Sequence, residues 1–72
     1  MAFTQAQLQT ELDSAASGLN CIITKFDNTS SASFTDVGVQ NFNTSAKKTG
    51  IVQLAQTNTA AQAAAALLAA LT

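Results

Sequence analysis

Seven charged side chains and one thiol are the titrating side chains from which this 72-residue sequence could build an acid–base site. They are Glu11, Asp13, Asp27, Asp36, Lys25, Lys47, Lys48 and Cys21, with no histidine, tyrosine, tryptophan or arginine beside them. General acid–base chemistry needs positioned proton carriers. Glu11 and Asp13 stand two apart in a helical pattern, so they face different sides of it. Cys21 lacks a histidine to activate it and lies in the apolar run "NCII", which reads as a buried, inert thiol. The turn "DNTSS" offers weak oxygen ligands, but its ordinary reading is a solvated turn. No metal-ligand spacing and no glycine-rich phosphate loop occurs. The expectation is a protein that is not an enzyme, with no catalytic, metal or cofactor-binding residues.

Composition narrows the class further. Charged residues make up 10% of the chain and the net charge is −1, against about a quarter charged in an ordinary soluble domain. Ser, Thr, Asn and Gln supply 28 residues instead. A nucleic-acid binder needs clustered lysine or arginine, so no nucleic-acid partner is expected. No basic region or leading apolar run marks a secretory signal, so the short sequons at Asn28 and Asn43 carry no weight.

The apolar stock is thin. Of the 34 residues behind the 47% hydrophobic fraction, 15 are alanine, and burial free energy follows area at roughly 25 cal/mol per Å². A chain this short buries only about 60% of its unfolded surface. Disulfides, metals and oligomerisation are the usual reinforcements. One cysteine and no histidine leave association with other chains as the expected support.

The elements read as a single α+β domain over 1–72: a helix, three strands and a helix. Helix 5–17 opens on Thr4, which has Gln7 three residues on as a capping-box partner. Leu8, Leu12, Ala15, Ala16 and Leu19 follow helical spacing, Phe3 and Leu8 match a hydrophobic staple, and Gly18 falls where a left-handed C-cap would sit. Strands are expected at about 20–26, 34–42 and 50–55, joined as an antiparallel meander. Val37 and Val39 point one way in the second strand, Phe34 and Phe42 the other. Gly38 between the valines marks a bulge or a close backbone approach. "NTSAKKTG" reads as a polar loop.

Helix 60–71 repeats the opening grammar, with Thr59 and Gln62 as a second capping box. Alanine and leucine give it high helix propensity. At about 18 Å it falls well short of the roughly 30 Å apolar core of a bilayer, so no membrane partner is expected. Leu67 and Leu71 share a face with Ala63 and Ala64, and Leu68 lies beside them. Beyond Gln62 the helix is apolar around nearly its whole circumference, and such a helix must be covered all round. The expected contact surface between chains is therefore Ala64, Ala65, Leu67, Leu68, Ala69 and Leu71, with Ile51 and Leu54 from the third strand.

Residues 44–62, "TSAKKTGIVQLAQTNTAAQ", resemble a module repeated in tail fibres of tailed bacteriophages. The matching core is Lys48, Thr49, Gly50, Ile51, Val52, Gln53, Leu54 and Ala55, followed by a Thr/Asn-rich turn and an Ala-rich helix. "MAFTQAQL" is similar to the starts of small phage structural proteins, including head–tail joining proteins. The resemblance implies a virion setting in which β and helical segments contact neighbouring chains. A fibre is long and repetitive, whereas this sequence carries one copy. The expectation is a capsid decoration, or cement, protein, located in the virion after assembly in the host cytoplasm. It would self-associate, for example as a trimer, and brace the major capsid protein or another virion protein. A head–tail connector or tail component is the nearest alternative. A soluble adaptor binding one partner through its C-terminal helix is the alternative of another class.

Overall fold

Two threonine-capped helices flank a three-stranded sheet in the order α1 (Gln5–Ala15), β1 (Cys21–Asp27), β2 (Phe34–Asn41), β3 (Val52–Ala55) and α2 (Ala60–Ala70). The computed structural model describes residues 2–43 and 47–71. The strands run β1-β2-β3 with both pairings antiparallel, so the expected meander and the α+β layout are both present.

Each helix starts where its capping box puts it. The Gln7 amide donates to Thr4 Oγ1 at 3.2 Å and the Thr4 amide to Gln7 Oε1 at 3.0 Å. Thr59 and Gln62 repeat the exchange at 3.1 and 3.0 Å. Each box satisfies amides that the first helical turn would otherwise leave bare.

Helix α1 stops at Ala15, two residues before the expected end. Ala16 leaves the helical region at φ −140°, and a turn follows in which the Leu19 amide bonds the Ala16 carbonyl. Gly18 is not the left-handed residue. That conformation falls on Asn20, at φ 52°, where the chain swings into β1. Asparagine tolerates the left-handed region better than most side chains, so a glycine is not required there.

The helices cover one face of the sheet. Leu8 and Leu12 of α1 and Ala63, Ala64 and Leu67 of α2 share a single buried cluster with Phe3, Cys21, Ile23, Val37, Val39, Leu54 and Leu71. Phe3 meets Phe26 edge-to-face at 6.0 Å between ring centres. Among the described residues no layer covers the other face of the sheet, and Ile22, Phe34 and Ile51 are exposed. The strand alternation is as expected, with Val37 and Val39 inward and Phe34 and Phe42 exposed.

Gly38 sits between two irregularities. On one side β1 spends Thr24 and Lys25 opposite it, shifting the register by one residue. On the other side, the pairs Gln40–Lys48 and Val37–Val52 leave one residue too many on the β3 side, at Gly50 and Ile51. Gly50 adopts φ +68°, which explains why the third strand begins at Val52 rather than at 50. A Cβ at Gly38 would meet Thr24 Oγ1 at 3.2 Å and the Gly50 carbonyl at 3.3 Å, so the glycine answers both a bulge and a close approach.

The expected polar loop lies between β2 and β3, and its second half keeps close to β2. The Asn41 amide bonds the Lys47 carbonyl and the Thr49 amide the Val39 carbonyl, each at 2.9 Å, so residues 47–49 run alongside β2. Residues 44–46 of that loop lie outside the described residues.

Candidate contact surface

The chemically capable side chains are scattered or already engaged. Asp13 Oδ1 accepts from Gln9 Nε2 at 2.9 Å. Asp27 and Asp36 face each other across β1 and β2. Asp27 Oδ1 accepts from the Thr29 amide at 2.9 Å and the Thr29 hydroxyl at 2.7 Å, and these bonds hold its carboxyl below the usual carboxylate range. Asp36 Oδ2 accepts from Ser30 at 3.2 Å. Cys21 is 2% exposed, and burial, then the charge of Asp13, pushes its thiol up. A thiol held protonated is a poor nucleophile. Among the described residues no group of His, Cys, Asp or Glu could hold a metal ion, and no helix is long and apolar enough to cross a membrane.

The expected contact residues divide into two sets. Ala64, Leu67, Leu71 and Leu54 lie inside this chain's own core, at 1%, 0%, 6% and 3% exposure. Their surface is covered before any second chain arrives. Leu68 is half-buried at the edge of that core. Ala65 and Ala69 stand on the outward side of α2, and Ile51 is 58% exposed on the open face of the sheet. The buried set and the outward set occupy opposite sides of α2, as 3.6-residue periodicity requires. The outward side also carries Ala61, Ala66 and Ala70, with Gln62 as its only long polar side chain.

The open sheet face adds residues that sequence reasoning missed. Ile22 is 41% exposed and Phe34 43%. The signal was present in "CIITKF". With Cys21 and Ile23 inward, period-two alternation turns Ile22 outward. A broad opening between the two helix starts, lined by Ala2, Ala6, Gln7, Thr10, Glu11 and Ala60, holds about 430 Å³. Gln7 is committed to its capping box and Thr10 donates to the Ala6 carbonyl at 3.0 Å, so few of its polar groups are free for a ligand.

Neither a described protein family, nor a curated protein, nor a solved structure matches this chain. The functional reading therefore stands on the residues and their arrangement.

Proposed function

We propose that this chain is a non-enzymatic structural subunit of a virus particle, most concretely a capsid decoration protein that braces major capsid subunits. The observation that carries the reading is the two-sided character of α2. Its leucines and Ala63 and Ala64 complete the core, while its outward side is alanine with no charge. Alanine leaves the helix backbone open to close approach by a neighbour, and the absence of charge removes the repulsion that keeps soluble domains apart. The exposed Ile22, Phe34 and Ile51 add apolar area on the open face of the sheet, beside the charges of Lys25, Asp27 and Asp36. The virion setting itself comes from the tail-fibre-like stretch at 44–62 and the phage-like N-terminus.

Mass spectrometry of purified particles tests this reading. A shell protein should accompany intact particles at hundreds of copies, whereas a connector or tail component would be present in a handful or a few dozen. Absence from particles, together with one-to-one binding of a monomer to a soluble partner, would replace the reading with the adaptor.

A further inference from the structure

The two edges of the sheet are finished differently. At β1 the Phe42 amide bonds the Asn20 carbonyl and the ladder alternates from there, so Cys21 and Ile23 turn their backbone groups away from β2. Gln9 takes both: its Nε2 donates to the Cys21 carbonyl at 2.8 Å and its Oε1 accepts from the Ile23 amide at 3.2 Å. Thr24 then bulges and Lys25 adds a charge, which are two common defences of an exposed edge.

Among the described residues no such defence is found at β3. The Gln56 amide donates to the Ser33 carbonyl at 2.9 Å, and Thr35–Leu54 and Val37–Val52 follow in the same register. Alternation therefore turns Leu54 and Val52 toward β2, and Gln53 and Ala55 away from it. The Ala55 carbonyl is taken by the Asn58 amide at 3.0 Å. Among the described residues nothing bonds the outward N–H and C=O of Gln53 or the outward N–H of Ala55. The strand has no charge and no proline, and the bulge at Gly50 and Ile51 lies before it rather than within it.

We infer that this edge pairs with the same edge of a second copy, the two β3 strands running antiparallel about a two-fold axis through Gln53. The edge is self-complementary there, because Gln53 carries one donor and one acceptor, both outward. Each Gln53 amide meets the partner's Gln53 carbonyl, so the bond occurs twice by symmetry. The same register sets Val52 beside the partner's Leu54 on the core side. On the open side it sets Ile51, 58% exposed, beside the partner's Ala55. No charge lies between Lys48 and the C-terminus to oppose two identical edges. The two three-stranded sheets become one of six strands. This deepens the assembled-subunit reading by naming the partner, but it rests on the edge alone.

Amide hydrogen exchange on the wild-type chain at several concentrations, with sedimentation of wild type and Gln53→Pro, tests the pairing. Proline at 53 removes an N–H that β2 does not use, so the fold should survive it. Expected are a wild-type dimer, Gln53 and Ala55 amides that exchange at least about tenfold more slowly once it forms, and dimerisation weakened at least about tenfold by Gln53→Pro. Wild-type assembly with a freely exchanging Gln53 amide overturns the inference, as does undiminished assembly of a folded Gln53→Pro. Should that variant unfold, exchange of the wild-type amide decides alone. A wild-type monomer that still binds particles overturns the self-pairing while leaving the particle role standing. Protection of Gln53 only when particles are present assigns the edge to a foreign strand instead.

Discussion

The side-chain amide of Gln9 sits on the edge of β1 as a neighbouring strand would, accepting from the Ile23 amide at 3.2 Å. Its nitrogen donates to the Cys21 carbonyl at 2.8 Å in the same contact. One side chain thus ties α1 to β1 and closes that edge.

Replacing it should loosen both. Gln9→Ala is expected to lower stability by about 1–2 kcal/mol, since a typical hydrogen bond contributes about 1 kcal/mol and water can partly replace these two. It should also raise concentration-dependent aggregation by opening a second edge. Denaturant midpoints and light scattering check the two effects, and an unchanged midpoint would mean that the clamp contributes little.

Gly38 makes a sharper case, because its surroundings are backbone on one side. A methyl group there meets the Gly50 carbonyl at 3.3 Å and Thr24 Oγ1 at 3.2 Å. Gly38→Ala is expected to cost about 1–3 kcal/mol through overpacking. Gly38→Ala combined with Thr24→Gly should recover part of that loss, and chemical denaturation of the single and double variants measures it.

These two residues show what the sequence made legible. Both helices could be read because Thr4–Gln7 and Thr59–Gln62 announce their starts locally and the leucine spacing announces their faces. Gln9 could not, since a glutamine on a helix surface gives no sign of the strand edge it will meet. Gly38 could be marked as special, but not the paired bulges, because register depends on two other strands. Gly50 likewise looked like part of β3 until its left-handed conformation separated Thr49 from Val52. The faces of α2 were legible in part. Helical spacing groups Ala63, Ala64, Leu67 and Leu71 on one face and sets Ala65 and Ala69 apart from them, but that the first group is covered within this chain, and so leaves the set of residues free for a neighbour, is visible only in the packing.

Two titrating groups among the described residues are shifted, and they set opposite pH limits. Asp27 is depressed by the Thr29 amide and hydroxyl, so its contribution is present above the unfolded carboxylate value of about 3.9 and is lost as pH falls through the lower folded value. Asp27→Asn should flatten the melting temperature below about pH 4. Cys21 is raised by burial and by Asp13, so its contribution is present below the unfolded thiol value of about 8.5 and is lost as pH rises through the folded value. Native Cys21 should therefore resist thiol labelling at pH 8 until the chain is unfolded, and Cys21→Val should remove the alkaline loss. Rapid labelling of the folded protein would contradict its placement in the core.

Lysine substitutions along α2 separate the inward side from the outward one. Ala64→Lys and Leu67→Lys bury an unpaired charge and should cost several kcal/mol, enough to unfold a small domain. Ala65→Lys and Ala69→Lys should keep the helical circular dichroism yet reduce attachment to the particle. Gln62→Lys gives up the capping-box acceptor of the first turn, at about 1 kcal/mol, and should cost far less than the inward pair. Full attachment by the two outward variants would remove the alanine side of α2 from the contact surface.

Association is expected to complete the stability of this thinly cored chain, which has one cysteine and no histidine. Thermal unfolding across a hundredfold range of concentration, with sedimentation at each point, tests it most directly. Expected are a mass above that of one chain and a midpoint that climbs with concentration, as mass action requires when assembly stabilises the native state. A single-chain mass at every concentration, with a constant midpoint above about 70 °C, beyond the usual mesophile range, would contradict it.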